Sequence, residues 1–244
     1  MFVNKKTALT VLLLIIFWPG RVTLTAENMG FSQQDENKYI DLPEVSYASS
    51  TSVEEALLNR RSVRDFKDEA LTLSQVSQLL WAAYGITEER SQPGFLRGGL
   101  RTAPSAGALY PLEIYLVAGK VANLDPGLYK YQSDGHRLEF ISEGDFRAEV
   151  AEAALSQDFL KNVPATIVYT AVYERTTQKY GERGRERYVS AELGHSAQNV
   201  CLQAETLGLG TCTVGAFSDK KLANTLMLPD EEEPLYIMPI GEPK

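Results

Sequence analysis

Three short segments hold the residue types that could do chemistry. RRSVRDF, residues 60–66, places Arg60, Arg61 and Arg64 within five positions, with Ser62 among them. Guanidiniums this close suit a phosphate dianion, because each presents paired N–H donors to its oxygens. The same run also reads as a solvated surface pairing with Glu54, Glu55, Asp65 and Asp68. RTAPSAGALYP, residues 101–111, sets Pro104, Ser105, Ala106 and Gly107 at the entry to an apolar strand. Small residues there let backbone amides approach a flat ligand, or simply make a tight connection. LGLGTCTVGAF, residues 207–217, surrounds Thr213 and Val214 with Gly208, Gly210, Gly215 and Ala216. It lacks the spacing of a Rossmann phosphate loop and the Walker lysine. What remains is a glycine-bearing strand end that could present a backbone N–H to a ring nitrogen.

The rest of the composition narrows the chemistry. Two histidines, His136 and His195, exclude a multi-histidine metal centre, and Cys201 and Cys212 are too few for a disulfide scaffold or a cysteine-rich zinc site. An organic cofactor is therefore expected to carry any reaction, and no metal site is assigned. His195 sits in a long helix one turn after Glu192, where a packed or capping role is the ordinary one. Lys+Arg at 24 against Asp+Glu at 32 give a net charge of −8, which disfavours a broad nucleic-acid footprint.

The elements that must position these segments follow from periodicity. Ser52, with Glu55 at the capping-box position, opens a short helix that runs into RRSVRDF. Apolar residues at Leu73, Val76, Leu79, Leu80 and Ala83 predict a helix over 72–84, ended by Gly85. Residues 86–102, with Pro93, Gly94, Gly98 and Gly99, predict a long loop. Strands are expected at 112–118, at 128–131 and 137–141 across an Asp134-Gly135 turn, at 165–172, 211–214 and 235–240. Helices are expected over 145–155, 187–207 and from Ser218. A hairpin among alternating helices and strands favours an α+β fold. Ala191, Gly194, Ser196 and Ala197 would permit close helix approach.

The N-terminus reads as an address. Lys5 and Lys6 precede an apolar run from Ala8 to Trp18, 11 residues long and short of the ~20 a spanning helix needs. Residues 1–26 are expected to be a signal peptide cut after Ala26, or an anchor over residues 8–24, so the protein is expected to be exported. The cut removes Lys5, Lys6 and Arg21 and no acid, taking the net charge from −8 to −11. That charge suits solubility and disfavours adhesion to anionic membranes. Residues 27–51 are expected to be a flexible tether and 52–244 the folded domain.

Taken in order, RRSVRDF, APSAGALYP before an apolar strand, GHSAQNVCLQAETLGLGTCTVGAF and a closing PIGEP resemble the nitroreductase family of flavoproteins. YGERGRERYVSAELGHSAQN, residues 180–199, is similar to its SagB/ThcOx-type branch, which includes azoline-oxidising dehydrogenases. The resemblance spans about residues 52–243. It implies an α+β fold with a central antiparallel sheet and a homodimer with FMN at the subunit interface. By position, Arg60, Arg61, Ser62 and Arg64 would hold the phosphate and the pyrimidine edge. Pro104, Ser105, Ala106 and Gly107 would line the cofactor across the dimer, and Thr213, Val214, Gly215 and Ala216 would border the ring.

Two departures qualify the resemblance. Azoline-oxidising members use a Lys-Tyr pair where this chain has Arg187-Tyr188. Arginine effectively cannot release its proton to act as a base, which argues against the lysine route and leaves Tyr188 as an acid/base or positioning group. Many members also carry a basic residue past the final glycine, whereas here Glu242 and Pro243 follow and only Lys244 could substitute. The implied activity is hydride transfer between flavin N5 and a small organic or peptide-derived substrate. Alternatives are NAD(P)H-dependent nitro or quinone reduction, flavin binding without turnover, and an exported module that has lost flavin.

Overall fold

The computed structural model describes residues 38–90 and 98–244. The signal or anchor expected over 1–26, and the 27–37 part of the tether, lie outside the described residues. In chain order the main elements are β1 (Tyr39–Asp41), α1 (Val53–Asn59), α2 (Leu73–Tyr84), β2 (Ile86–Glu89), β3 (Gly99–Arg101) and β4 (Leu112–Ala118). They continue with β5 (Gly127–Gln132), β6 (Arg137–Glu143), α3 (Arg147–Ala153), β7 (Ala165–Ala171) and α4 (Glu174–Tyr180). A π-helical segment (Gly184–Val189), α5 (Ser190–Thr206), β8 (Gly210–Thr211), α6 (Asp219–Thr225) and β9 (Glu233–Gly241) complete the chain.

Seven strands form one antiparallel sheet in the order β1-β6-β5-β4-β7-β9-β8. All seven positions of β4 are buried, so both of its faces are covered. Side chains alternate between faces along a strand. Leu112, Ile114, Leu116 and Ala118 accordingly pack with Leu79, Leu80 and Ala83 of α2 and Ala197, Val200 and Ala204 of α5. Tyr115 and Val117 point the other way, onto Val150 and Ala153 of α3 and Leu222 of α6. This is the α+β arrangement that the sequence pattern implied, with the central antiparallel sheet between helices that the family resemblance implied.

Local chemistry sets the helix starts. The Ser52 hydroxyl accepts from the Glu55 N–H at 3.1 Å. The full reciprocal capping box forms at α2 instead, where Thr72 and Gln75 each accept from the other's backbone N–H, at 3.2 and 2.9 Å. Of the small residues on α5, buried Ser196 donates to the Ala83 carbonyl at 2.6 Å and draws α5 onto α2, whereas Ala191 and Gly194 stay exposed.

Two expectations are corrected. Tyr39–Asp41 pairs with Arg137–Glu139, so the stretch expected to be a tether contributes an edge strand. Part of the expected 86–102 loop is a two-stranded hairpin, Ile86–Glu89 with Gly99–Arg101, around residues 91–97 outside the described set. Gly98 and Gly99, at φ 94 and 155, occupy backbone conformations disfavoured for other residues as the second strand starts.

Candidate functional site

The arginine segment leaves α1 and runs between two distant parts of the chain. Arg60 closes the helix, its N–H donating to the Ala56 carbonyl at 3.0 Å. Ser62 then bridges to Thr211, and the Val63 N–H donates to the Thr211 carbonyl at 3.0 Å. On the other side Phe66 bridges to Pro243, and the Lys67 N–H donates to the Glu242 carbonyl at 2.9 Å. The third segment and the C-terminal tail are thereby assembled along the first. Gly210 permits this approach, because a Cβ there would lie 2.7 Å from the Val63 side chain.

The acids next to this segment do not neutralise it. Asp65 pairs with the Lys244 ammonium at 2.8 Å, and Asp68 pairs with Lys120. Arg61 turns back to the carbonyls of Leu58 and Arg60, both at 2.9 Å. Among the described residues no ion pair engages Arg60, Arg64, Glu54 or Glu55. Arg60 acts electrostatically on the buried Cys201 thiol, which burial pushes up to about 11 against that pull. Burial likewise raises the Cys212 thiol, opposed by Arg64. The two guanidiniums thus stand at the junction of α5 and β8, Arg60 half-buried and Arg64 exposed. Lys244 reaches the same segment but is engaged with Asp65.

Past β8, Val214 keeps the edge in register through paired bonds with Ile237, 2.8 and 3.0 Å. Thr213, Gly215 and Ala216 are exposed beside it, and the Ala216 carbonyl accepts from Gln157 at 3.2 Å.

Pro104 to Gly107 belongs to a second region. Gly107 has φ 65, and a Cβ there would lie 2.8 Å from the Tyr180 hydroxyl and 3.0 Å from the Lys179 ammonium. Tyr180 meets Tyr188 edge to face, ring centroids 4.9 Å apart, and the Tyr188 hydroxyl accepts from Arg183 Nε at 3.0 Å. Tyr188 and exposed Arg187 lie on the π-helical segment, a kind of helix found often at functional sites. The second motif and the Arg187-Tyr188 pair therefore share one region.

A buried network beneath that region was not singled out from sequence. Glu192, 2% exposed, accepts a hydrogen bond from the Tyr84 hydroxyl. Ser105 Oγ accepts from the Tyr110 N–H at 2.9 Å. The Arg101 guanidinium lies over the rings of Tyr84 and Tyr110, 4.4 and 4.9 Å from their centroids. Burial raises the Glu192 carboxyl to about 7, against the pull of the nearby Ser105 and Tyr84 hydroxyls and the Arg101 charge. The legible signal was phase: Val189, Leu193, Ser196, Ala197 and Val200 form one stripe, and Glu192 falls on it. Gly107, Ala108 and Tyr110 all have positive φ, 65, 54 and 47. Left-handed non-glycine residues cost on the order of 1–3 kcal/mol each and persist where their surroundings over-determine them.

The two regions are separated along α5. Arg60 acts electrostatically on Cys201, whereas Ser105 acts on Glu192, nine positions earlier and about 13 Å along a helix axis. A cleft of about 720 Å³ between residues 44–53, α2 and α5, and a polar cavity of about 310 Å³ beside Tyr84, Arg101 and Glu113, are lined by none of the sequence-predicted site residues. His195 is exposed, and both cysteines are free. On the arginine side, unneutralised cations beside a glycine-made close approach fit an anionic group on a flat ligand.

Known proteins are similar to this chain. A provisionally named nitroreductase of Methanocaldococcus jannaschii is 44% identical over 202 residues, covering 83% of this chain and 95% of its own. The microcin B17-processing protein McbC of Escherichia coli is 26% identical, over 70% of this chain and 62% of its own. A solved nitroreductase structure from Ralstonia eutropha, also provisionally named, is 31% identical with a TM-score of 0.72, over 85% of this chain and 90% of that one. The sequence matches the Nitroreductase family over residues 57–242, a span holding the three glycine- and arginine-bearing motifs and both regions they build, and the chain is therefore an oxidoreductase of the nitroreductase family.

Proposed function

We propose that the protein is an FMN-dependent oxidoreductase moving a hydride between flavin N5 and a small organic or peptide-derived substrate. The observation that carries this reading is the pair Arg60 and Arg64, which have no ion-pair partner among the described residues while Asp65 and Asp68 are held by lysines. Arg60, Arg61, Ser62 and Arg64 bind the phosphate and the pyrimidine edge; Thr213, Val214, Gly215 and Ala216 border the ring. Pro104, Ser105, Ala106 and Gly107 line it from the partner subunit of a homodimer. Val53, Leu57 and Leu58, exposed on the helix that leads into Arg60, supply apolar surface for that contact. The bound flavin supplies hydride acceptance and donation at N5, and a nearby arginine stabilises its reduced charge.

Tyr188 is the group placed to hold or move a proton at the substrate, through its phenol oxygen, which Arg183 already orients. Arg187 stays charged and positions an anionic or polar substrate group. The SagB-type branch is part of this proposal. Its support is the 180–199 sequence and the similarity to McbC and to the Rhizobium leguminosarum trifolitoxin operon protein TfxC, 26% identical over 77% of this chain and 54% of its own. Export, or anchoring by residues 8–24, is likewise proposed from the N-terminal sequence, with no role for nucleic acid. An extracytoplasmic setting, where reduced nicotinamides are scarce, favours substrate dehydrogenation over NAD(P)H-fed reduction.

The test is direct. Purified protein titrated with FMN is expected to turn yellow and quench flavin fluorescence, and Arg60→Ala/Arg64→Ala to lose both effects. Failure of the wild type to take up FMN refutes the reading. Anaerobic mixing with NADH or NADPH is expected to leave the bound flavin oxidised; rapid bleaching would instead assign nicotinamide-fed reduction.

A further inference from the structure

The backbone of the second motif turns left-handed just before it joins the sheet. Gly107, Ala108 and Tyr110 have φ 65, 54 and 47, and Leu112 opens β4. Helix α4 touches both ends of that stretch. At one end a Cβ on Gly107 would lie 2.8 Å from the Tyr180 hydroxyl. At the other, Arg175 Nη1 donates to the Tyr110 carbonyl at 3.3 Å and pairs with Glu113 Oε1 at 2.5 Å. Arg175 and Tyr180 are about 7.5 Å apart along a helix axis, enough to brace the whole turn. Glu113 is itself fixed. Its other oxygen lies 3.4 Å from the Lys130 ammonium, which pairs with Glu232 at 2.6 Å. Glu232 in turn accepts from the Tyr115 and Thr170 hydroxyls at 2.9 and 2.7 Å, and both carboxylates are buried.

We infer that Arg175 is a positioning residue for the second motif: its guanidinium ties the Tyr110 carbonyl to Glu113, and so to the sheet, holding 107–110 in the shape that lines the ligand. The inference rests on the FMN reading above and adds to it a residue outside the three motifs. Left-handed non-glycine residues persist only where their surroundings over-determine them. The Tyr110 N–H is bonded to Ser105 Oγ at 2.9 Å, but Ser105 belongs to the same motif, so that bond closes the turn without anchoring it. Tyr84 and Arg101 meet the Tyr110 ring rather than its peptide. The next carbonyl, of Pro111, already accepts from the Val172 N–H at 2.9 Å, as part of the sheet edge. Arg175 acts between these, on the Tyr110 peptide itself. Its Nη1 carries two hydrogens, so one nitrogen serves the carbonyl and the carboxylate together. A hydrogen bond from an ionised donor is roughly twice as strong as a neutral one. Glu113, shared with Lys130, keeps that donor in place. No proton moves, because arginine stays charged throughout. Its effect reaches the flavin only through the shape of the loop.

The experiment compares FMN dissociation constants from fluorescence quenching for the full chain and its Arg175→Ala variant. Each is measured in guanidinium chloride well below denaturing concentration and in equal sodium chloride. The Arg175 side chain is 27% exposed, so its removal opens the space to solvent and admits a free guanidinium ion. Arg175→Ala is expected to weaken FMN binding about tenfold, through loss of one charge-assisted hydrogen bond. Guanidinium is expected to bring the variant back to within about threefold of wild type, and sodium chloride to restore nothing. Such rescue separates the clamp from a general loss of packing, which a free cation does not refill. At saturating FMN, the visible circular dichroism of the bound flavin is expected to change in the variant and to return with guanidinium. Should Arg175→Ala not fold, Arg175→Lys decides. Its shorter side chain keeps a charge at Glu113 but not the reach to both acceptors, so affinity is expected to fall by about threefold or more. Unchanged affinity in the variant measured overturns the inference while leaving the FMN reading intact. So does a loss in Arg175→Ala that guanidinium does not restore, or that sodium chloride restores equally. Absence of FMN uptake by the wild type overturns both.

Discussion

The two halves of the candidate site are built by opposite means. The arginine region is a backbone construction: Arg60 to Lys67 is laddered between β8 and the C-terminal tail, with Arg64 exposed and Arg60 half-buried. The Ser105 region is a side-chain construction in which Glu192, Tyr84, Arg101 and Tyr110 are packed around a loop the backbone would not adopt alone. The contrast teaches a division of labour. Charge for an anionic ligand stays accessible on a surface that needs no strain, whereas the strained loop is held by ring, cation and hydrogen-bond contacts to Tyr110.

The comparison breaks most visibly at the cations. Arg60→Ala/Arg64→Ala removes two charge-assisted sites of about 1.5–3 kcal/mol each, so FMN affinity is expected to fall by roughly 10²–10⁴-fold. Melting temperature should change little, which calorimetry beside the flavin titration would check.

A smaller effect belongs to the buried region. The folded Glu192 carboxyl holds its proton more tightly than the unfolded one, with half-protonation moved from 4.5 to about 7. Stability from this group is full below pH 4.5 and is lost as pH rises towards 7, by on the order of 3 kcal/mol. Urea denaturation of wild type and Glu192→Gln should show the difference between them shifting in the variant's favour by that amount from pH 4.5 to 8. A difference constant with pH would show that the carboxyl titrates normally. Next comes Gly210→Ala, whose Cβ meets Val63; overpacking of this kind costs about 1–3 kcal/mol and is expected to weaken FMN binding alongside stability. The smallest effect is Lys244→Ala. An exposed ion pair contributes about 0–1 kcal/mol, so stability should barely change and FMN affinity should shift by at most about threefold.

Much of the frame was legible because its signals are local. Leu112–Ala118 is a continuous apolar run, α2 repeats at helical spacing, and Asp134-Gly135 marks a hairpin turn. Three things were not. Tyr39–Asp41 becomes a strand only by pairing with Arg137–Glu139, a partner remote in sequence. The glycines of 86–102 read as breakers, whereas Gly98 and Gly99 stand at the turn into a strand. At the site, the residue types of all three motifs were readable, but their grouping was not: Ser62 with Thr211 and Phe66 with Pro243 are long-range pairings. Glu192 lay on the buried stripe of α5, yet its hydrogen-bond partner Tyr84 comes from α2, which periodicity does not reveal.

The central claim is that the two regions serve one ligand only when supplied by different copies of the chain. Mixing Arg60→Ala/Arg64→Ala with Gly107→Val, each folded and unable to hold FMN alone, tests it most directly. A mixed dimer would then contain one site built wholly from intact parts, and after subunit exchange about a quarter of full flavin occupancy is expected to return. No recovered flavin after demonstrated exchange would contradict the account and confine the site to a single chain.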